Sequence, residues 1–350
     1  MSLPFNSAPT HLCLLRLSAV GDVCHALPIV RTIQAQWPET KITWIIGRLE
    51  ASLIGDIPGI EFIIFDKSRG VAAYRELRQA MKGRRFDALL HMQMSLRASL
   101  ISLLVPTRIR LGFDRERAKD LQWLFTNHKI KHRPQQHVVD GFFCFGEAIG
   151  IKAKTLCWDI PIPAEAQQFC AQQITNDDRK LLVISPCSSM SYRNWHVAGY
   201  AAVADYAVDK HNMQVIISGG PAAIEQQYGE AITQQCLHKP LNLVGKTNLK
   251  QLLALLDRAT VVVAPDSGPA HMATAVRTPV IGLYASTNPD RARPYLSADY
   301  VVNRYPDAIR QKHAKRVDEM PWGTRVRDEG TMALITSDEV CAMLDKVLAQ

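Results

Sequence analysis

Short apolar runs alternate with helix-like segments along this sequence, and the alternation starts twice. In the first half the apolar runs lie at 11–17, 41–47, 61–65, 87–92 and 108–112. In the second half they lie at 181–184, 214–217, 241–244, 261–264 and 280–284. Strands that alternate with helices form a mainly parallel sheet, because each crossover helix returns the chain to the same edge. The sequence therefore predicts an α/β protein with two Rossmann-like lobes in tandem.

The boundary between the lobes is predicted near residue 160. Residues 161–178 contain two prolines and a glutamine-rich run, which indicate a linker followed by the first helix of the second lobe. We predict an N-terminal lobe over 1–160, a C-terminal lobe over 161–335 and a last helix over 336–350. Thr336 and Glu339 have the spacing of a capping box at the start of that helix, which we expect to pack back on the N-terminal lobe.

Composition excludes several classes of protein. The chain is 47% hydrophobic and 21% charged, which is typical of a folded globular protein. No apolar run approaches the roughly 20 residues of a membrane-spanning helix, and the first residues lack the pattern of a secretory signal. The eight cysteines include no Cys-x-x-Cys pair, so neither a zinc site nor a disulfide framework is predicted. A cytoplasmic location fits these features.

Positive charge is concentrated in the first half. Residues 1–160 contain 22 Lys and Arg against 14 Asp and Glu, whereas residues 161–350 contain 19 of each. A basic lobe beside a neutral one favours an anionic partner such as a nucleic acid, a membrane surface or a phosphorylated substrate. A solvated basic face without a partner is the alternative.

The stretch from Val261 to His271 is a candidate anion site. A buried strand ends at Asp266, and Ser267-Gly268-Pro269 then opens a helix. The N-terminus of a helix presents backbone N–H groups and a positive dipole to an anion. Asp266 could bind hydroxyl groups, and His271 could reach back to the same pocket. The alternative is a helix cap beside a core histidine.

A second turn, Gly21-Asp22, follows the first predicted strand and precedes a helix predicted from Val23. Asp is a good N-cap residue, so capping is one interpretation of Asp22. The other is a catalytic carboxylate, because α/β sheets bind ligands at the carboxyl ends of their strands. The first turn lacks Gly-x-Gly-x-x-Gly, which disfavours a dinucleotide-dependent oxidoreductase.

Taken together, the two turns resemble a known family. The segment Leu15-Arg16-Leu17-Ser18-Ala19-Val20-Gly21-Asp22, the later Asp266-Ser267-Gly268-Pro269-Ala270-His271 and the loop from Tyr284 to Pro289 resemble the ADP-heptose:lipopolysaccharide heptosyltransferases. These are inverting glycosyltransferases of the GT-B fold, with two Rossmann-like lobes that face each other across a cleft. The resemblance covers roughly residues 11–290.

The resemblance also implies a substrate for each lobe. The N-terminal lobe would bind a Kdo-lipid A acceptor at the anionic inner leaflet of the inner membrane, and the C-terminal lobe a sugar nucleotide such as ADP-heptose. It implies no nucleic-acid partner, no cofactor and no metal ion. Asp22 is implied as the general base. The implied acceptor contacts are Gly21, Gln93, Arg97 and His137, and the implied donor contacts are Ser188, Arg193, Thr247, Asp266, Ser267, Gly268, Pro269 and His271.

Two positions depart from the family pattern. Arg193 stands where relatives have a lysine, and Arg can bind a phosphate through two N–H groups. After Gly219-Gly220, where relatives have an acidic residue that holds the ribose, the first carboxylate is Glu225. Two alternatives therefore stay open: a GT-B enzyme with another sugar nucleotide, either a transferase or an epimerase, and a two-lobed binding protein without enzymatic activity.

Overall fold

Each half of the chain forms its own six-stranded sheet in the computed structural model, which describes residues 3–175 and 178–350. The strands of the first sheet are β1 (His11–Leu15), β2 (Lys41–Gly47), β3 (Ile60–Phe65), β4 (Ala88–His91), β5 (Arg110–Gly112) and β6 (His128–Lys129). Those of the second are β7 (Leu181–Ile184), β8 (Gln214–Ile217), β9 (Leu241–Asn242), β10 (Val261–Pro265), β11 (Val280–Tyr284) and β12 (Val301–Asn303).

Helices connect these strands. In the first half they are α1 (Val20–Gln36), α2 (Arg48–Ile54), α3 (Val71–Ala80), α4 (Leu96–Ser102) and α5 (Val138–Ile149). In the second half they are α6 (Ala164–Gln173), α7 (Val197–His211), α8 (Ala223–Gln235), α9 (Leu249–Arg258), α10 (Gly268–Ala275), α11 (Pro289–Ala292), α12 (Tyr305–His313) and α13 (Ser337–Leu348).

Both sheets have the same topology. The strand order is β3-β2-β1-β4-β5-β6 in the first and β12-β11-β10-β7-β8-β9 in the second, and the paired strands are parallel. Numbered within each half, both sheets follow the Rossmann order 3-2-1-4-5-6. The direction of winding reverses between β1 and β4 and again between β7 and β10. The predicted α/β architecture with two Rossmann-like lobes is confirmed.

The chain divides into two compact units after Pro161. Each unit has its own core, in which the central strands are buried along their length. The predicted lobe boundary, at 160, lies one residue earlier. Residues 1–2 and 176–177 belong to the predicted lobes and lie outside the described residues.

The last helix does not occupy the predicted position. Val340, Leu344 and Val347 of α13 are buried in the core of the second unit, where α13 packs on α7 and the β11–β12 edge. The expectation that residues 336–350 pack on the first lobe is therefore corrected. The apolar face of the helix, spaced at four and three residues, is covered within its own unit. The predicted capping box of Thr336 and Glu339 is present.

Helix α1 begins three residues earlier than predicted. It starts at Val20, with Ala19 as the N-cap residue. Asp22 is therefore not the N-cap residue; it stands at N3, where its side chain accepts the backbone N–H of Ala19 in a capping-box contact. Helix α10 begins at Gly268 with Pro269 in its first turn, as the sequence predicts. Within the described residues, no helix is both long and apolar enough to cross a membrane.

Candidate active site

The predicted site residues follow the strands that flank the reversal point of each sheet. Asp22 follows β1 and Gln93 follows β4, the two strands between which the winding of the first sheet reverses. Arg193 follows β7 and Asp266 follows β10, the corresponding pair in the second sheet. Open α/β sheets bind ligands in the crevice outside the carboxyl ends of such strands. Topology therefore marks one candidate site in each unit.

In the first unit, Asp22 is oriented by two neighbours. Its Oδ2 lies 2.5 Å from Nη2 of Arg16 and accepts a hydrogen bond of 3.3 Å from the backbone N–H of Ala19. Both contacts fall on Oδ2, and 39% of the side chain is exposed. Among the described residues, the given contacts of Asp22 are all made by Oδ2, so Oδ1 can meet a hydroxyl group of a substrate. This geometry suits a general base, which needs a fixed carboxylate with one open oxygen.

Arg16 was not among the predicted site residues, yet it is built into the core beneath Asp22. Its Nη1 donates to the carbonyl oxygen of Met92 at 2.7 Å, and its guanidinium lies 5.6 Å from the ring centre of Phe142 in α5. The residue is buried. A buried cation needs a paired charge, and the carboxylate of Asp22 supplies it. An arginine that ends a strand just before a Gly-Asp turn is the sequence signal for this pair.

Gln93 supports the loop that bears Asp22. Its Oε1 accepts the backbone N–H of Leu17 at 2.6 Å, and its Nε2 donates to Oγ of Ser18 at 3.3 Å. Both ends of the side-chain amide are therefore engaged within the protein. The predicted acceptor contact at Gln93 is a bridge between the end of β4 and the β1–α1 loop.

The other predicted acceptor residues have different surroundings. Gly21 is buried in the first turn of α1. His137 is buried at the N-terminus of α5, where its Nδ1 accepts the backbone N–H of Val139 at 3.2 Å, and its ring meets that of His25 edge to face. Arg97 is exposed on α4. The structure thus brings Gly21, Asp22 and Gln93 together and leaves Arg97 on the surface.

In the second unit, Asp266 is the centre of a buried polar cluster. Its Oδ2 lies 3.2 Å from Nη1 of Arg193, and its Oδ1 lies 3.6 Å from Nε2 of His271. Its carbonyl oxygen accepts from Oγ of Ser188 at 3.0 Å and from Nη1 of Arg193 at 3.1 Å. His271 therefore reaches back to the strand end as predicted. The carboxylate of Asp266 contacts two basic side chains, and its binding of hydroxyl groups stays a prediction.

The charge of Asp266 is stabilised in this cluster. Burial raises the pKa of its carboxyl group. The hydrogen bond with His271 and the positive charges of Arg193 and Arg291 together lower the pKa by more than burial raises it, so the pKa lies below its usual range. Asp266 is therefore ionised at neutral pH. Its negative charge is paired with the guanidinium of Arg193, and the carboxylate orients both this guanidinium and the imidazole of His271.

Several buried polar atoms of the cluster have no partner within the part of the chain that the structure describes. They are Oγ of Ser267, Nε of Arg193 and Oη of Tyr192. Ser267 is the N-cap residue of α10, but its side chain does not cap the helix. Buried polar atoms are usually hydrogen-bonded, and unpaired ones point to a ligand or water. A hydroxyl, a guanidinium N–H and the N-terminus of α10 together form a site suited to a phosphate group.

The remaining donor candidates lie along the same edge of the sheet. Gly268 and Pro269 form the first turn of α10. Thr247 lies beyond β9, the outermost strand at this end of the sheet. Among the described residues, its side chain forms no polar contact with the Asp266 cluster. Glu225, in the first turn of α8, returns to the glycine loop after β8, where its Oε2 accepts the backbone N–H of Gly220 at 2.7 Å. A carboxylate therefore stands beside that loop, supplied by the residue five positions after Gly220.

The tail from 313 to 331, which the sequence analysis does not explain, joins this site. The backbone N–H of Val326 donates to the carbonyl oxygen of Ser286 at 2.9 Å, in the loop after β11. The guanidinium of Arg327 lies 5.7 Å from the ring centre of Tyr192, next to Arg193. The tail thus adds a cation to the edge where the polar cluster lies.

Among residues 3–175 and 178–350, no three His, Cys, Asp or Glu side chains are grouped as a metal site would require. The basic groups of the cluster are Arg193, His271 and the more distant Arg291. Such groups can neutralise a diphosphate without a metal ion.

Comparison with known proteins decides the family. The sequence profile of glycosyltransferase family 9 (heptosyltransferase) matches residues 74–321. The chain is also 43% identical over 343 residues to the lipopolysaccharide core heptosyltransferase OpsX of Haemophilus influenzae, covering 98% of each chain. The chain belongs to glycosyltransferase family 9. The family expected from the two turns is confirmed, and with it the assignment of the chain as a glycosyltransferase.

Solved structures of glycosyltransferase family 9 share its fold. A family 9 glycosyltransferase from Veillonella parvula matches with a TM-score of 0.79 at 19% identity, covering 97% of each chain. The Escherichia coli heptosyltransferase WaaC, solved with ADP, matches with a TM-score of 0.73 at 19% identity, covering 96% of this chain and 99% of that one. The predicted GT-B fold is thereby confirmed.

Proposed function

We propose that this glycosyltransferase family 9 enzyme transfers a heptose from ADP-heptose to the Kdo-lipid A inner core, with inversion at the anomeric carbon. The observation that carries the proposal is the Asp266 cluster, where unpartnered buried polar atoms lie at the N-terminus of α10. The name of the OpsX relative and the ADP bound to WaaC agree with this chemistry.

The second unit would bind the sugar nucleotide. The diphosphate gains negative charge as the bond to the anomeric carbon breaks, and groups aimed at that charge lower the barrier. Arg193, His271 and the N-terminal turn of α10 are the groups we assign to this task, with Ser267 donating its hydroxyl hydrogen. We assign the ribose hydroxyls to Glu225, whose carboxylate lies against the Gly219-Gly220 loop.

The first unit would supply the base. An acceptor hydroxyl attacks the anomeric carbon on the face opposite the departing ADP, and its proton passes to Oδ1 of Asp22. Arg16 holds the carboxylate in place through its contact with Oδ2. No residue of the chain forms a bond to the sugar, so one displacement inverts the anomeric centre. The leaving group is stabilised by protein donors, and we propose that no metal ion is required.

The acceptor also indicates where the enzyme acts. We propose a cytoplasmic enzyme that associates peripherally with the inner leaflet of the inner membrane. The excess of Lys and Arg in residues 1–160 supports this, because anionic lipid attracts basic surfaces.

A substrate panel tests the proposed reaction. Purified enzyme is incubated with Kdo-lipid A and, in parallel, ADP-heptose, other ADP-sugars and UDP-sugars, and products are identified by mass spectrometry. We expect transfer from ADP-heptose only, with release of ADP. Transfer from a UDP-sugar would indicate another donor, and epimerisation without an acceptor would indicate the epimerase alternative.

A further inference from the structure

Helix α4 (Leu96–Ser102) exposes leucine side chains on its outer face. Ala98 and Ile101 are buried in the core of the first unit. Leu96, Leu100 and the C-cap residue Leu103 follow each other at intervals of four and three residues, so they form one outward stripe. Large apolar side chains that are grouped on an exposed surface commonly mark an interaction site. The outward stripe therefore indicates a partner.

A second exposed apolar group lies in the loop after β5. Leu121, Trp123 and Leu124 point outward, while Gln122 between them is buried. The Nε2 of Gln122 donates to the carbonyl oxygens of His91 at 2.9 Å and Gln93 at 3.2 Å.

These bonds fix the turn at the end of β4. Gln93 is two residues before Ser95, the N-cap residue of α4, so the turn and the start of the leucine stripe are neighbours. We call the six residues the leucine surface; their exposed fractions lie between 43% and 60%. They are Leu96, Leu100, Leu103, Leu121, Trp123 and Leu124.

Cations surround the leucine surface. Arg97 is exposed on the same helix, and the guanidinium of Arg115 lies 5.2 Å from the ring centre of Trp123. Lys119 is exposed in the same loop. Residues 96–133 contain nine Lys and Arg against three Asp and Glu. Apolar side chains surrounded by long basic ones match the boundary between lipid headgroups and acyl chains, where the basic groups reach the phosphates.

We propose that the leucine surface inserts into the headgroup region of an anionic bilayer. This inference rests on the peripheral association proposed above and assigns the residues that make the contact. A second copy of the chain is a poorer occupant, because a symmetric dimer would bring two strongly basic segments together. A bilayer with anionic lipid complements both the leucines and the cations.

Vesicle binding tests the inference without acceptor or donor. The full-length protein is sedimented with vesicles of phosphatidylcholine alone or with 30% phosphatidylglycerol. We expect binding to the anionic vesicles, and a reduction of about tenfold or more in Leu100→Gln/Leu103→Gln and in Leu121→Gln/Leu124→Gln. The binding of Arg115→Gln/Lys119→Gln to anionic vesicles should fall about fivefold for each charge removed.

Fluorescence quenching tests the depth of insertion. Brominated lipid should quench the fluorescence of Trp123, and Trp123→Phe should abolish that quenching.

Leu49→Gln/Val71→Gln is the matched control, because these two residues of the first unit are 59% and 68% exposed outside the leucine surface. Its binding should equal wild type. The inference is contradicted if the control loses as much binding as the leucine variants, or if wild type binds only vesicles that contain Kdo-lipid A. It is also contradicted if the leucine variants dissociate a dimer and leave vesicle binding intact.

Activity on a delipidated Kdo acceptor separates this inference from the proposed function. The leucine variants should retain that activity while they lose vesicle binding. Absence of transfer by wild type would contradict the proposed function alone, because the vesicle experiment does not depend on catalysis.

Discussion

Nη2 of Arg16 and Oδ2 of Asp22 lie 2.5 Å apart, and the arginine that makes this contact is buried while the aspartate is partly exposed. The pair joins the end of β1 to the first turn of α1. In the proposed function the two residues have different roles: Arg16 positions the carboxylate, and Asp22 accepts the proton of the acceptor hydroxyl.

Arg16→Ala should lower kcat by about 10- to 100-fold, because a carboxylate without its partner loses its alignment with the acceptor hydroxyl. The Kd for ADP should stay unchanged, since the proposed donor contacts belong to the other unit. Steady-state kinetics measure kcat, and calorimetric titration measures the Kd for ADP. Arg48→Ala is the control, because Arg48 pairs with Asp66 at an exposed site of the same unit. An equal loss of ADP affinity in Arg16→Ala would indicate a structural defect in place of a positioning role.

Ser267→Ala should weaken ADP binding by about 3- to 10-fold and leave the melting temperature unchanged. The Oγ of Ser267 has no hydrogen bond within the described chain to lose, so its partner would be the ligand. Ser297→Ala provides the opposite case, because Oγ of Ser297 accepts the backbone N–H of Val280 at 3.1 Å. That control should lose about 1 kcal/mol of stability and keep its ADP affinity. Normal ADP binding by Ser267→Ala would place the diphosphate elsewhere.

His91 should make the folded state sensitive to acid. Burial and then the positive charge of Arg16 lower the pKa of His91 to about 3. A histidine with a lowered pKa stabilises the fold fully above its unfolded pKa of 6.5, and the contribution is lost as the pH falls from there towards 3. The loss approaches about 1.4 kcal/mol for each pH unit.

Urea unfolding of wild type and His91→Gln between pH 7.5 and 4.5 measures this contribution. The difference in unfolding free energy between the two should change steadily below pH 6.5, with wild type falling faster. His313→Gln, at an exposed position, controls for the removal of a histidine. A difference independent of pH would show that His91 gains its proton in the folded state without penalty.

EDTA should leave the rate of transfer unchanged, because the proposal assigns diphosphate stabilisation to Arg193, His271 and the N-terminus of α10. The rate is measured before and after dialysis against the chelator. Loss of activity with recovery on addition of Mg²⁺ or Mn²⁺ would contradict the proposal.

The fold was largely predictable because buried parallel strands appear in the sequence as short runs of apolar, mostly β-branched residues. The bounds of β7, β8 and β11 agree with the predicted runs, and β10 extends one residue further. The short strands β6 and β12 are absent from the predicted runs, because segments so short show no clear periodicity.

The site was predictable where one turn contains several functional residues, and less so where distant segments meet. Asp266 and His271 are five residues apart, and their contact followed from the helix that joins them. The pairing of Arg16 with Asp22 could be assigned only from the structure, because it depends on the buried environment that Met92 and Phe142 form around Arg16.

Turnover by Asp22→Asn tests the central claim most directly. The amide has nearly the shape of the carboxylate but cannot accept the proton of the acceptor hydroxyl. The measurement is kcat with ADP-heptose and Kdo-lipid A, together with the Kd for ADP and the melting temperature. The account predicts a kcat lower by about 10²- to 10⁴-fold with ADP affinity close to wild type. A fully active Asp22→Asn enzyme would contradict it.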